Sequence, residues 1–180
     1  MIDFQIHTPE TAPTEEVRTA LSAMKERYGF VPNLGAVLAE SPTTLAGMFA
    51  LYDANEQGSL NPHERQLAYI TASAANDCDY CVSAHSMLAS KLGLIREHVA
   101  NARGGQPLPD VRLEALRAFT HGLVTSRGQP GEEHLRRFLA AGYTKAQVFE
   151  IVAIVALKTL TNYANHLAQT APNPEFSATV

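Results

Sequence analysis

Helix start signals recur along the whole sequence, and they constrain the fold more than any other feature. Capping residues followed by helical apolar patterns occur at Thr14, Ser41, Asn61, Asp110 and Thr144. No stretch shows the several residues of period-two alternation that a half-buried strand requires. The sequence therefore predicts an all-α fold with short connections.

The length of the chain favours one domain. A chain of 180 residues is long enough to bury a sizeable core without disulfides or metal ions. We expect a single domain over residues 1–180, with its core at about 14–171 and a loosely ordered tail at 172–180.

Composition and charge exclude two classes of partner. No run of about eighteen apolar residues is present, so no membrane span is predicted. The formal charge is −4 and no dense Lys/Arg run occurs, so the electrostatic signature of a nucleic-acid binder is missing. The first residues lack the basic start and apolar stretch of a secretory signal, which favours a cytoplasmic location.

Two cysteines and a histidine form the motif that carries chemistry. Cys78 and Cys81 lie three residues apart at a predicted helix start, and His85 follows Cys81 by one turn on the same face. The two sulfurs are therefore placed for a local disulfide, and the imidazole is placed to exchange a proton with Cys81. In a reducing compartment such a pair indicates catalysis, redox sensing or metal binding.

The helix N-terminus alone does not make Cys81 a strong nucleophile. It lowers a thiol pKa by at most about 1.5 units, and Asp77 and Asp79 act in the opposite direction. We therefore hypothesise that His85 or another neighbouring group supplies the remaining stabilisation of the thiolate.

A zinc site is an alternative, since cysteine and histidine are both good zinc ligands. A fourth ligand is not evident, because His63 and His166 are the nearest candidates and neither has motif spacing. A c-type haem is excluded because Val82, not histidine, follows the second cysteine. Purely structural cysteines are the remaining alternative.

The segment 64–85 carries a family resemblance. Its sequence, ERQLAYITASAANDCDYCVSAH, resembles the core of the AhpD-like alkylhydroperoxidase and carboxymuconolactone decarboxylase superfamily, with the signature C-x-x-C-x-x-x-H after an Ala-rich helix. Weaker likeness at 28–33 and 162–166 indicates the peroxidase-related branch. The resemblance implies an AhpD-like helical bundle with the cysteines at the N-terminus of a central helix, assembled into a trimer or hexamer.

The resemblance also implies a function and roles for the residues. It implies an antioxidant cysteine peroxidase without metal or other cofactor, in which Cys81 attacks a hydroperoxide or disulfide substrate and Cys78 resolves the product as a disulfide. His85 would take part in the proton relay, and an external dithiol or a thiol protein would restore the pair.

Gln66 departs from the family pattern. It lies twelve residues before Cys78, where the family usually has a relay glutamate, and an amide cannot carry a proton. Glu64 is better explained as a capping-box residue. If the two helices fold back on each other, Gln66 and His85 become near neighbours, and Gln66 can still orient His85 through a hydrogen bond.

Three groups of residues have simpler explanations outside the site. We expect Tyr80 to pack against its neighbours. We expect ordinary core packing, rather than a substrate channel, for Tyr28, Phe30, Met48 and Phe49. We expect capping of the last long helix for Asn162, Asn165 and His166.

The helix expected from Thr144 to Leu160 is apolar nearly all round, which predicts burial in the core or at an interface between copies of the chain. Three other functions stay open beside the peroxidase. They are a decarboxylase-like enzyme on the same fold, a non-catalytic redox sensor and a zinc-stabilised oligomer.

Overall fold

The structure, a computed structural model, describes residues 4–179, with side chains as far as residue 176. This part of the chain contains nine α-helices, one 3₁₀-helix and no strand, which confirms the all-α prediction. The helices are α1 (Glu15–Tyr28), α2 (Asn33–Leu38), α3 (Pro42–Glu56), α4 (Pro62–Ala75), α5 (Asp79–Lys91), α6 (Arg96–Arg103), α7 (Val111–Thr125), α8 (Glu132–Ala140), α9 (Lys145–Ala168) and the 3₁₀-helix Pro174–Thr179.

The predicted capping residues begin their helices as expected. The side chains of Thr14, Ser41, Asn61, Asp110 and Thr144 each accept a hydrogen bond from a backbone N–H in the first turn. These bonds satisfy donors that a helix leaves without a partner at its N-terminus. The positions of five helix starts therefore follow from local sequence.

Helix α4 is the centre of the bundle. Every residue from 64 to 73 is buried, because α5, α6, α7 and α9 all pack around this helix. Its apolar side chains form the main core with those of α7 and α9, among them Leu67, Ala68, Ile70, Leu116, Phe119, Ile151 and Ile154. This arrangement fixes α5 and α9 on neighbouring sides of α4.

A second apolar cluster joins α1, α2 and α3 beside α9. Its buried members include Val17, Leu21, Met24, Leu38 and Leu45. This cluster forms one wall of the cavity described below.

The expectation of a loosely ordered tail at 172–180 is wrong for Asn173 and Phe176. Both side chains are buried, and Phe176 packs with Tyr80 and the two cysteines. An aromatic residue and an amide near the end of a chain give little local signal that a distant surface will bind them. Residue 180, the side chains of 177–179 and residues 1–3 lie outside the described part of the chain.

Helix α9 is not buried on every side. Ile151, Ile154 and Leu157 face the core, whereas Phe149 and Leu167 are 73% and 78% exposed. The expected burial of this helix on all sides is therefore not reached within one chain. In the described part of the chain, no helix combines the length and apolar character needed to cross a membrane.

The capping box at the start of α4 gives a test of the fold. Asn61 Oδ1 accepts the backbone N–H of Glu64 at 3.0 Å, and Glu64 Oε2 accepts the backbone N–H of Asn61 at 3.0 Å. We expect Asn61→Ala to lower the free energy of unfolding by about 1 kcal/mol, because the first turn of the central helix loses an acceptor. Urea unfolding followed by far-UV circular dichroism measures this loss.

The matched control is Asn61→Ser, whose hydroxyl oxygen keeps an acceptor and should leave stability within a few tenths of a kcal/mol of the original. Equal unfolding midpoints for the Ala and Ser variants would contradict the role of the cap.

Candidate active site

A tight turn between α4 and α5 positions the cysteines. Asn76 ends α4, and Asp77 follows with a φ of 54°, in the left-handed region that aspartate tolerates better than most residues. The N–H of Cys78 then donates to the carbonyl of Ser73 at 2.9 Å. The chain therefore reverses within three residues, and α5 packs back along α4.

Cys78 and Cys81 occupy the start of α5. Cys78 is the residue that precedes the helix, and Cys81 is its third residue, so the predicted location holds with the first helical residue at Asp79. Both are free thiols and each is only 2% exposed. The N-terminal end of a helix favours a thiolate at this position.

Asn165 of α9 contacts both sulfurs. Its Nδ2 donates to Cys81 Sγ at 3.3 Å and lies 3.8 Å from Cys78 Sγ, while its Oδ1 is buried and has no hydrogen-bond partner among the described residues. The expectation that Asn165 serves to cap the helix is therefore wrong, because α9 continues to Ala168 and the amide points into the bundle.

Asn162 and His166 also differ from the capping interpretation. Asn162 Oδ1 accepts from Asn76 Nδ2 at 2.9 Å, and Asn162 Nδ2 donates to Ser73 Oγ at 3.4 Å. These bonds fix α9 to the turn that carries the cysteines. His166 is exposed and stacks on Tyr163, so it lies apart from the site.

Gln66 and His85 meet as the sequence predicts for helices that fold back. His85 Nδ1 lies 2.9 Å from Gln66 Oε1, and the imidazole stacks on Tyr69 with 4.6 Å between ring centroids. A carbonyl oxygen can only accept, so His85 Nδ1 carries the proton and donates it. Gln66 thereby fixes both the orientation and the tautomer of His85.

Lys158 completes this line, and sequence reasoning missed it. Its Nζ lies 2.9 Å from His85 Nε2, and the side chain is 3% exposed. An ammonium group has donors and no acceptor, so His85 Nε2 accepts this bond and the imidazole is neutral. The available signal was a lysine within the apolar run of α9, spaced by three, four and seven residues from Thr161, Asn162 and Asn165.

The electrostatics of the two thiols differ strongly. Hydrogen bonding from the Cys78 thiol and the charge of Lys158 lower the pKa of Cys81 well below its ordinary value, although burial opposes them. The same hydrogen bond to Cys81, together with burial, raises the pKa of Cys78. Burial, and then the charge of Lys158, lower the pKa of His85 well below its ordinary value. Cys81 is thus the more acidic thiol of the pair, and the surroundings of His85 favour its neutral form.

An apolar cavity of about 120 Å³ opens onto Cys81. His85 and Lys158 share its polar end with Cys81, whereas Cys78 does not line it. The four side chains for which core packing was expected do pack against the apolar clusters, and they also line this cavity: Tyr28, Phe30, Met48 and Phe49.

The C-terminal segment closes one side of the site. Tyr80 Oη donates to Asn173 Oδ1 at 2.9 Å, and Asn173 Oδ1 also accepts the backbone N–H of Asn33 at 2.8 Å. Phe176 packs edge-on against Tyr80 and Phe30 at 5.2 and 6.0 Å between ring centroids. Tyr80 therefore packs as predicted and also anchors this segment over the cysteines.

The arrangement offers no ready zinc site. His63 Nε2 lies 2.9 Å from the carbonyl oxygen of Leu92, His166 is exposed, and Lys158 occupies the free nitrogen of His85. Among residues 4–176 no three His, Cys, Asp or Glu side chains are grouped to hold a metal ion.

The sequence and the fold both match known proteins. The profile of the carboxymuconolactone decarboxylase family matches residues 42–107. This range begins with α3 and includes both cysteines and His85. No curated protein matches the chain. The crystal structure of an AhpD-core, peroxidase-related protein from Ralstonia eutropha JMP134 is 26% identical, with a TM-score of 0.79 over 96% of this chain and 93% of the other.

Two structures with lower sequence identity also share the fold. A peroxidase-related protein from Silicibacter sp. TM1040 is 20% identical, with a TM-score of 0.82 over 97% of this chain and 92% of the other. A variant of the debrominase Bmp8 in complex with 2,3,4-tribromopyrrole is also 20% identical, with a TM-score of 0.84 over 99% and 96% of the two chains. The chain is therefore similar to the carboxymuconolactone decarboxylase family around the cysteines, and to an AhpD-core, peroxidase-related protein over almost its whole length.

Proposed function

We propose that this protein is a thiol-dependent hydroperoxide reductase that cycles Cys78 and Cys81 between dithiol and disulfide. The observation that carries the proposal is the asymmetry of the pair. Cys81, whose pKa is lowered, lines the cavity, whereas Cys78, whose pKa is raised, is not among the residues that line it. This division matches the needs of an attacking thiolate and a resolving thiol.

The proposed reaction consumes one hydroperoxide and one dithiol. The Cys81 thiolate attacks the distal peroxide oxygen, the O–O bond breaks, and the alcohol leaves after taking a proton. Cys81 is then a sulfenic acid, and Cys78 attacks its sulfur to form the disulfide and release water. An external dithiol or a thiol protein reduces the disulfide by exchange and is itself oxidised.

The neighbouring polar groups have defined places in this cycle. Asn165 Nδ2 holds the Cys81 sulfur at 3.3 Å and so orients it toward the cavity. His85 is proposed to lie in the proton path, because its ring lines the cavity and Gln66 holds it in one tautomer. The redox-active disulfide is the only redox group in the proposal, which requires no metal or organic cofactor.

To regenerate the dithiol, a reductant must reach a buried sulfur atom of the disulfide. Because the segment that contains Asn173 and Phe176 covers the pair, a reductant reaches the disulfide when this segment moves aside. A compartment with a thiol reductant, such as the cytoplasm, fits this requirement.

Reductive dehalogenation is a second candidate, favoured by the cavity. A cavity of about 120 Å³ is close to the size of the apolar cavities that hold one benzene ring, and its walls are rich in aromatic and methionine side chains. The debrominase structure with the same fold holds a single-ring compound, 2,3,4-tribromopyrrole. In this reaction an aryl bromide and the dithiol give the arene, bromide, a proton and the disulfide.

Cysteine variants and a peroxide titration test the proposal. With cumene hydroperoxide and dithiothreitol we expect sustained turnover and, without dithiothreitol, the loss of both thiols. Cys81→Ser should reduce turnover to background because no nucleophile faces the cavity. Cys78→Ser should be oxidised once and then stall as a sulfenic acid, which dimedone traps and mass spectrometry identifies.

The remaining functions give other results in the same assay. Release of bromide from 2,3,4-tribromopyrrole, with no peroxide turnover, would favour the dehalogenase. Fast oxidation of both thiols without turnover would favour a redox sensor, and loss of assembly on adding a chelator would favour a zinc-stabilised oligomer. A decarboxylase-like enzyme would keep its activity in both cysteine variants. Turnover that survives in Cys81→Ser would contradict the peroxidase proposal.

We also propose that the exposed apolar side of α9 binds another copy of the chain. Phe149, Val152, Tyr163 and Leu167 are exposed large apolar side chains on this one helix. We expect a trimer or hexamer by light scattering, and we expect Phe149→Glu to lower the mass because it places a charge in the contact. Val111→Glu on α7, where the valine is 81% exposed, is the control and should not change the mass. A monomer at micromolar concentration would contradict this proposal.

A further inference from the structure

Lys158 is a buried cation that the proposed reaction does not yet use. Its side chain is 3% exposed, and no carboxylate among the described residues lies within 4.0 Å of it. A buried ammonium without an opposite charge is strongly unfavourable, because burial removes its hydration. An anion at the site would therefore stabilise the ammonium form of Lys158.

The groups around Lys158 leave one candidate for that anion. His85 is neutral and accepts from Lys158, and the Tyr69 ring offers only its face, at 5.7 Å from Nζ to the centroid. Gln66 is neutral and bonds to the far nitrogen of His85. The thiol of Cys81 lines the same cavity end as Lys158 and can become an anion.

The other titratable groups near Cys81 do not compete for this role. Burial raises the pKa values of the nearby tyrosines, among them Tyr69 to about 12, so they stay neutral. Asp77 and Asp79 flank the start of α5 but are exposed to water. The titratable groups that face Cys81 from α1, α3, α5 and α9 are Tyr28, Tyr52, Cys78, Tyr80, His85 and Lys158.

We propose that Lys158 and the Cys81 thiolate form the ion pair of this site, and that Lys158, in contact with His85, supplies the proton that the leaving alcohol takes. Only the proton step of this proposal rests on the proposed function. The ion pair concerns the resting dithiol and holds for any reaction that begins with a Cys81 thiolate.

The ion pair has a consequence for the redox equilibrium. When an external disulfide oxidises the pair, the Cys81 thiolate and the Cys78 thiol become one protein disulfide, the external disulfide becomes one thiolate and one thiol, and Lys158 loses its anion. Lys158 then remains buried beside neutral groups, which disfavours the oxidised protein relative to the reduced protein. Lys158 therefore makes the disulfide easier to reduce, as stabilisation of a reduced thiolate does in general.

The pH dependence of Cys81 alkylation tests the ion pair directly. Iodoacetamide reacts with the thiolate, so its rate with Cys78→Ser protein rises with pH and levels off above the pKa of Cys81. We expect Lys158→Gln in this background to move the rise to higher pH. Below the new pKa, the rate should fall about tenfold for each unit of the shift. Lys158→Arg, which keeps a positive charge, should retain most of the wild-type rate.

Lys145→Gln is the matched control, since Lys145 lies on the same helix and is exposed. It should leave the alkylation profile unchanged. Far-UV circular dichroism establishes that each variant is folded, and Lys158→Met provides a second neutral variant if the glutamine variant does not fold. An unchanged profile in either folded neutral variant would overturn the proposal.

A redox equilibrium with glutathione gives an independent readout in protein that has both cysteines. We expect Lys158→Gln to shift the equilibrium at least about tenfold toward the disulfide, in step with the shift in the Cys81 pKa. A shift toward the dithiol would contradict the ion pair. Neither measurement needs peroxide turnover, so failure of the peroxidase proposal would leave this result interpretable, and the reverse also holds.

Discussion

The hydrogen-bonded line from Gln66 through His85 to Lys158 joins three helices at the polar end of the cavity. Gln66 belongs to α4, His85 to α5 and Lys158 to α9, and both bonds are 2.9 Å long. The line fixes the imidazole as a neutral group with its proton on Nδ1. The neutral imidazole leaves the charge of Lys158 available to Cys81, whose pKa is lowered first by the hydrogen bond from the Cys78 thiol and then by that charge.

The fold provides this line through one tight turn and one long helix. The turn at Asn76 and Asp77 reverses the chain so that α5 lies along the buried α4. Helix α9 then presents Lys158, Asn162 and Asn165 from a single face to the turn and to the sulfurs. Polar residues on the buried face of an apolar helix are unfavourable unless they are paired, and each of these three has a partner in the site.

Local signals predicted much of this arrangement from the sequence. The capping residues predicted where helices begin, and the i, i+3 and i+4 spacing placed Cys78, Cys81 and His85 on one face. The approach of Gln66 to His85 followed from folding one helix back on the other. Lys158, Asn165, Asn173 and Phe176 were missed or misread, because their partners lie from 73 to more than 140 residues away in the chain and local sequence does not encode such contacts.

The protonation state of His85 is the most direct test of the account. Nitrogen-15 NMR of histidine-labelled protein distinguishes a protonated Nδ1 from a protonated Nε2, and a His85→Gln variant assigns the signal among the seven histidines. We predict one neutral tautomer, protonated at Nδ1, because burial and then the charge of Lys158 lower the pKa of His85 well below its ordinary value. An imidazolium that titrates at the ordinary histidine pKa, or a proton on Nε2, would contradict it.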